Sequence, residues 1–356
     1  MSEPEEQPRP KRHYTTHDPA VDARIEDLVS AFPEGLDRAL VRDLVVSAYR
    51  FALDKASTLD LKIVSSAVKE LRHAFKIFAP YRHLHKVAIF GSARTPPGKP
   101  SYKMAEKFGH LMAKSGWMVI TGAASGIMRA GHVGAGTAAS FGLNIRLPFE
   151  QEANTVIAQD DKLVTCKYFF TRKLLFLKES SATVLFPGGF GTLDEGFECL
   201  TLVQTGKADP RPIVFVDLPG GKFWGPLLKF MGEKMVTAGM ISPSDRSLYQ
   251  VAHSPEEAAE IVLRFYRVYH SMRYVDHDMV LRLTRPLPEA MVDKLSREFK
   301  DILVSGKIRQ GGPLPQEAEE QADEPELQKM TRLIFRFNRH DYGRLTQMIN
   351  RINAIP

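Results

Sequence analysis

The chain has 356 residues, 44% hydrophobic and 25% charged, which is the composition of a globular protein and enough length for two or three folding units. There is no run of about 18 apolar residues to read as a membrane helix, and Met1 to Pro19 is polar with no apolar core, so it does not read as a secretory leader. The net charge is +6; residues 317 to 326 carry six acidic groups and no basic one, leaving +12 on the rest. That surplus suits anionic ligands such as nucleotides, or nucleic acid, or simply a solvated basic surface. Cys166 and Cys199 are far apart with no metal spacing, and CxxC and HExxH are absent, so buried thiols in a reducing cytoplasm are expected and a zinc site is not.

In chain order, residues 1–20 are Pro-rich and charged and read as a disordered tail. Residues 21–84 read as a helical layer. One stripe there carries Leu40, Leu44, Val45, Ala48 and Phe51, and a longer one Leu61, Val64, Val68, Leu71, Phe75 and Phe78. Strands and helices alternate from 85 to 270. Short apolar runs at 87–90, 117–120, 142–146, 163–168, 182–186 and 212–216 are separated by helical patterns at 101–114, 127–138, 171–179, 193–203, 223–238 and 255–266. Near-continuous apolar strands between helices predict a doubly wound parallel sheet of the α/β class. Residues 271–356 form a smaller α+β appendage. Leu281-Arg282-Leu283-Thr284-Arg285 echoes Phe335-Arg336-Phe337-Asn338-Arg339, which suggests one strand–helix unit used twice, and the paired Arg285 and Arg339 suggest a regulatory or oligomeric role. The acidic segment 311–326 reads as a linker or mobile loop.

Three glycine-bearing turns follow three of the strands, at 91–93, 122–126 and 188–191. In an open parallel sheet, ligands bind where strands end and helices begin. The third turn is Pro187-Gly188-Gly189-Phe190-Gly191-Thr192-Leu193-Asp194-Glu195. Glycine allows close approach, and a helix start offers free N–H groups and the positive end of a dipole to an anion. Read without the rest of the string, Thr192 and Glu195 are an N-cap and its capping partner. GxGxxG and GxxxxGK[ST] are both absent, which disfavours NAD binding and P-loop ATP hydrolysis.

The string PGGxGTxxE, with Arg172-Lys173 upstream and 23 positions between Arg172 and Glu195, resembles the Lonely Guy family of nucleoside 5′-monophosphate phosphoribohydrolases. Supporting matches are Val87 to Ser92, Gly126-Ile127-Met128, Gly142 to Ile145 with Leu147-Pro148, and Leu202 to Thr205. The resemblance spans about 85 to 240 and implies a Rossmann-like nucleotide-binding domain at 85–270. It implies hydrolysis of the N-glycosidic bond of an AMP-like or cytokinin riboside 5′-monophosphate, giving free base and ribose 5-phosphate without metal or cofactor. Arg172 and Glu195 would be the catalytic pair, with the charge of Arg172 keeping Glu195 ionised; the plain alternative is a structural Arg–Glu pair. Gly188, Gly189, Gly191 and Thr192 would hold the phosphate. Gly91, Ser92, Gly122, Ser125, Gly126 and Met128 would frame base and ribose, and Lys173 would guide the phosphate or be a surface lysine.

Glu150 and Gln151 are secondary candidates at a strand end, and Asp194 is read as solvent-facing. The sequence departs from the family in two places. Gly122-Ala123-Ala124 stands where three glycines are usual, which narrows the approach to the ligand. Phe169-Phe170 replaces the usual Met-His and reads as two core residues, or else as an aromatic wall for a base. Members are often labelled lysine decarboxylase-like, yet His85-Lys86, the one His-Lys pair, enters a strand at the end away from ligands, and pyridoxal phosphate chemistry needs a Schiff-base lysine there.

The competing readings are a non-catalytic nucleotide or pterin-nucleotide carrier on the same fold, and a nucleic-acid-binding module. Retention of both Arg172 and Glu195 favours the enzyme. The expected partners are a small nucleotide and further copies of the chain, as a homodimer or higher homo-oligomer to which the helical layer contributes, with no membrane and no nucleic acid.

Overall fold

A computed structural model describes residues 14–33, 37–148, 152–317 and 325–355. The secondary candidates Glu150 and Gln151 lie outside the described residues, as does most of the presumed N-terminal tail. The chain divides into two compact units, Met1–Lys69 and Glu70–Pro356.

In the first unit, α1 (Pro19–Ser30) and α2 (Arg38–Leu53) pack through Ile25, Val29 and Val46. Asp18 starts α1 by accepting from the amides of Ala20 and Val21, and Asp37 starts α2 by accepting from Leu40 N. α3 (Thr58–Phe78) begins here and runs on into the second unit. The apolar stripes are only partly buried. Leu71, Phe75 and Phe78 join the core of the second unit, whereas Leu40, Leu44, Leu61 and Val68 remain exposed.

The second unit is built on a seven-stranded parallel sheet of the doubly wound α/β type. Its strands are β1 (Lys86–Phe90), β2 (Met118–Thr121), β3 (Ser140–Ile145), β4 (Leu163–Cys166), β5 (Ala182–Leu185), β6 (Ile213–Val216) and β7 (Gln250–Ala252), in the order β4-β3-β2-β1-β5-β6-β7. The connecting helices are α4 (Pro100–Lys114), α5 (Ile127–Ala135), α6 (Phe169–Glu179), α7 (Phe190–Gln204), α8 (Gly225–Phe230) and α9 (Pro255–Phe265). Side chains alternate across each strand. Ala88 and Phe90 join Leu175 and Phe176 of α6 and Leu200 and Val203 of α7 on one face; Val87 and Ile89 join Phe108 of α4, Ile127 of α5 and Val262 of α9 on the other. Both faces are covered, so the strands show no polar alternation. The predicted helix 223–238 is shorter than expected: α8 gives way at Met231–Met235 to a wider π turn, where Val236 N donates to Met231 O.

A four-stranded antiparallel sheet follows, from β8 (Tyr269–Val275), β9 (Asp278–Leu283), β10 (Leu303–Gly311) and β11 (Thr331–Phe337) in the order β10-β11-β9-β8, with α10 (Glu289–Glu298) and α11 (Tyr342–Asn353). One further helical turn-and-a-half, Pro325–Lys329, is 3₁₀ and precedes β11. The repeat is therefore hairpin–helix, not strand–helix: β8 and β10 alternate too little in polarity to stand out in sequence. The echo also fails in burial, since Arg282 is buried and Arg336 is exposed.

The acidic segment is more than a linker at one point. Glu317 is fully buried between Arg282, at 2.8 Å, and Arg332, at 3.1 Å, which face each other in the β9–β11 register. Their hydrogen bonds, together with one from the Leu314 amide, overcome burial and hold the Glu317 carboxyl down at about 2.

Candidate functional site

The sheet order reverses between β1 and β5, because the chain winds outward from β1 to β4 and then returns to the other side of β1. A crevice is expected at the strand C-terminal ends at such a switch point. A cavity of about 620 Å³ lies there. The β1 end contributes Gly91, Ser92, Ala93 and Arg94, the β2 end Gly122, Ala124 and Met128, and the β3 end Asn144, Ile145 and Leu147. α6 contributes Phe169, Arg172 and Phe176, and the β5–α7 turn Gly189, Phe190, Gly191, Thr192 and Glu195.

The turns are locked to one another. Ser92 N donates to Pro187 O, and Ile127 N donates to Ser92 O, both at 3.0 Å. Gly126 precedes α5 with φ of 64°, and a Cβ there would lie 2.2 Å from Ser92 O. A Cβ at Gly188 would lie 2.1 Å from Thr192 Oγ1. α7 is capped by Gly189 with no side-chain bond, so Thr192 is the third residue of the helix and is not the N-cap. Thr192 N and Leu193 N both donate to Gly189 O, at 3.0 and 3.2 Å, which closes the first turn of α7 beside the cavity.

The alanine-containing turn is supported from behind. Ala123 is buried in a left-handed conformation, φ 59°, at a cost of about 1–2 kcal/mol for a residue with a Cβ. Ala123 N donates to Thr121 Oγ1, and Ala123 O accepts from both Asn154 N and Asn154 Nδ2. Buried His132 completes the network: Nε2 lies 3.0 Å from Thr121 Oγ1 and from Phe141 O, and Nδ1 lies 3.1 Å from Asn154 Nδ2. Burial lowers its pKa to about 4 and keeps it neutral.

α6 is anchored by a residue far away in sequence. Glu70 accepts from Lys167 N at 3.0 Å and from Thr171 Oγ1 at 2.7 Å, placing a carboxylate at the helix start, where the dipole favours it. One and two turns in, the Arg172 guanidinium sits over Phe169 at 4.9 Å and Phe176 at 5.8 Å. Its Nε is buried without a hydrogen bond, and its Nη2 lies 3.8 Å from Glu195 Oε1.

Lys173 does not line the cavity. Its ammonium lies 2.8 Å from Asp194, 2.7 Å from Glu198 and 3.5 Å from Glu195. The expectation that it guides a phosphate is therefore corrected: three carboxylates already hold it. Asp194 is exposed, as expected, and is tied to Lys173. Arg172 acts on Glu195 in the expected direction, but not alone. Burial pushes the Glu195 carboxyl up; Lys173 and then Arg172 oppose this, while Asp194 and Glu198 add to the rise.

Of the other residues expected at the site, Gly91, Ser92, Gly122, Met128, Gly189, Gly191 and Thr192 line the cavity with Arg172 and Glu195. Gly188 and Gly126 shape the turns from behind, and Ser125 is exposed outside the lining. Phe169 and Phe170 are not core residues. Both are about half exposed; Phe169 faces the cavity and Phe170 stacks on Tyr168.

The sequence from 121 to 262 matches a family model described as possible lysine decarboxylase. A relative from Mycobacterium tuberculosis, a cytokinin riboside 5′-monophosphate phosphoribohydrolase, is 28% identical over 174 residues, covering 48% of this chain and 90% of that one. Over this segment the chain is similar to the Lonely Guy family. A probable enzyme of the same name from Oryza sativa subsp. japonica is 36% identical over 89 residues, or 25% of this chain and 35% of its own. One from Arabidopsis thaliana is 37% identical over 86 residues, or 24% and 38%. The chain thus spans little more than a third of the length of these two plant relatives. A molybdenum cofactor binding protein from Rippkaea orientalis is a structural neighbour at 22% identity and a TM-score of 0.35, covering 51% of this chain and 94% of that one.

Three residues at or behind the site carry no clear mark in the sequence. Arg94 follows the first glycine turn. Asn144 is a lone amide in an apolar strand, and that polarity was the signal available for it. Glu70 is 97 positions from its nearer partner, and no local pattern marks it. The decarboxylase label finds no support in Lys86, whose ammonium donates to Tyr81 O and Leu84 O at the N-terminal end of β1, opposite the crevice.

Proposed function

We propose that this protein is a Lonely Guy-type, metal-independent nucleoside 5′-monophosphate phosphoribohydrolase acting on AMP-like or cytokinin riboside 5′-monophosphates. The supporting observation is the convergence, in one crevice, of a helix N-terminus at Gly189–Thr192 with the Arg172–Glu195 pair. The 5′-phosphate would sit on the amides of 189–191 and the Thr192 hydroxyl, where partial positive charge favours a dianion. Glu195 would lie at the ribose, countering positive charge as the C1′–N bond breaks and taking the proton of the attacking water. The proton taken from water then passes to the departing base, and ribose 5-phosphate remains.

Glu195 is the one carboxylate lining the cavity among the described residues, and the proposed scheme uses it alone. Arg172 would fix the substrate, and the apolar surfaces of Phe90, Ile145, Leu147 and Phe169 suit a planar base. Gly91, Ser92, Gly122 and Met128 would frame base and ribose.

A carrier would need the phosphate loop but not the Arg172–Glu195 pair. We place the activity in a reducing cytoplasm, which suits two buried free thiols. We also propose that the chain works as a homo-oligomer, in keeping with exposed Leu40, Leu44, Leu61 and Val68. No helix among the described residues is long and apolar enough to cross a membrane.

The test is incubation with a panel of nucleoside 5′-monophosphates and chromatographic detection of free base. Release from at least one member is expected. Tight binding without release from any member would turn the assignment to a carrier.

A further inference from the structure

We propose that Lys173 is a positioning residue, a clamp that gathers Asp194, Glu195 and Glu198 of α7 and holds the Glu195 carboxylate in place, leaving Arg172 to meet the substrate. This deepens the hydrolase reading and rests on it for the role of Glu195. The geometry divides two consecutive cations of α6 between two tasks. Residues 194, 195 and 198 bring their carboxylates to one side chain, with Lys173 Nζ within 2.8 Å of two of them and 3.5 Å from the third. The Lys173 side chain is 16% exposed, so its charge is largely removed from water. It does not line the cavity, whereas Arg172 does, with its guanidinium against the Phe169 and Phe176 rings.

The electrostatics follow from the same contacts. Asp194, Glu195 and Glu198 from α7 face Arg172 and Lys173 from α6, leaving one net negative charge when all five are ionised. Buried Cys199, the remaining titratable neighbour on α7, has its thiol pushed up by burial and stays neutral. A phosphate dianion arriving at the α7 start would add to this negative field. Lys173 is the nearest cation able to keep Glu195 charged at that moment, and its own ammonium is held up by Asp194 and Glu198 against the opposing effect of burial. A lysine drawn to the phosphate would abandon Glu195 in a buried, acid-rich position, so its place below the cavity is the more effective one.

The test uses the full chain with ¹³C-labelled glutamate carboxyls, Glu195→Gln to assign the Glu195 resonance, and Lys173→Met beside Lys173→Arg. The titration reads the carboxyl directly and needs no turnover. Lys173→Met is expected to move the Glu195 titration up by about one pH unit or more, with the acid limb of kcat/KM following it. Lys173→Arg should remain close to wild type. Affinity for ribose 5-phosphate, measured by calorimetry at pH 8, should change less than about threefold, since no phosphate contact is lost.

An unmoved Glu195 titration in folded Lys173→Met overturns the proposal. So does a loss of ribose 5-phosphate affinity beyond about tenfold with the titration in place, which would make Lys173 a phosphate ligand. If Lys173→Met fails to fold, the exposed-side pair Asp194→Asn with Glu198→Gln supplies the reading: it should lower the Glu195 titration, and no change overturns the clamp. Should no nucleotide yield free base, the hydrolase reading falls while this titration still decides the clamp.

Discussion

Arg172 stands 3.8 Å from one oxygen of Glu195, and Lys173, the next residue on the same helix, stands 3.5 Å from the other. Neighbouring helix residues point in different directions, so two consecutive cations can reach one carboxylate only when it lies between their directions. The carboxylate comes from α7, and its position there makes the charge arrangement at the crevice specific.

Replacing Glu195 by Gln keeps the shape and removes the charge. Base release is expected to fall at least about 10²-fold, while AMP affinity by calorimetry stays within about tenfold. Turnover at the wild-type rate would remove Glu195 from the chemistry. Arg172→Ala should also inactivate, and unchanged turnover there would make Arg172 a structural cation.

Gly188→Ala tests the phosphate turn. The new methyl would meet Thr192 Oγ1 at 2.1 Å and Ser92 N at 3.0 Å, so the first turn of α7 must shift. Thr192 would then be displaced from the crevice. KM for the nucleotide should rise by about tenfold or more, with the circular dichroism spectrum unchanged. Normal KM would show that the turn can relax without moving the helix start.

Acid should destabilise the fold before the carboxylates are fully protonated. Burial lowers both His132 and His85 from 6.5 to about 4, so each is neutral when folded and takes its proton first in the unfolded chain. Their contribution is complete above about pH 6.5 and drains as pH falls toward 4, by at most about 3 kcal/mol each. Urea unfolding at pH 7 and at pH 4.5 measures this. A His132→Gln variant should show a weaker pH dependence over that interval; an unaltered slope would mean His132 is not the titrating group.

Glu317→Ala probes the buried triad of the second sheet. Removing the carboxylate leaves Arg282 and Arg332 opposed across β9 and β11 with their shared counter-charge gone. A loss of about 3–5 kcal/mol is expected from denaturant unfolding. A loss below about 1 kcal/mol would show that water reaches the pair.

Much of the parallel sheet was legible because strands covered on both faces are apolar throughout and stand out between helical patterns. Val87 to Phe90 and Ala182 to Leu185 are found directly this way. β7, β8 and β10 were missed for the opposite reason: β7 has three residues, and β8 and β10 carry mostly half-buried or exposed side chains, so neither strand has a continuous apolar run. Glu317 was read as part of an acidic linker because charge composition does not reveal which carboxylate meets two arginines.

By itself the sequence determined the strand-and-helix alternation, the three glycine turns and the Arg172–Glu195 spacing, because each depends on residues close together in the chain. Tertiary structure alone decided that Lys173 turns to the carboxylates of α7, that Glu70 anchors α6, that His132 and Asn154 brace Ala123, and that Phe169 stands at the cavity. These depend on which surfaces meet when distant segments pack. Burial, and with it the direction of every charge shift at the site, exists only after that packing is complete.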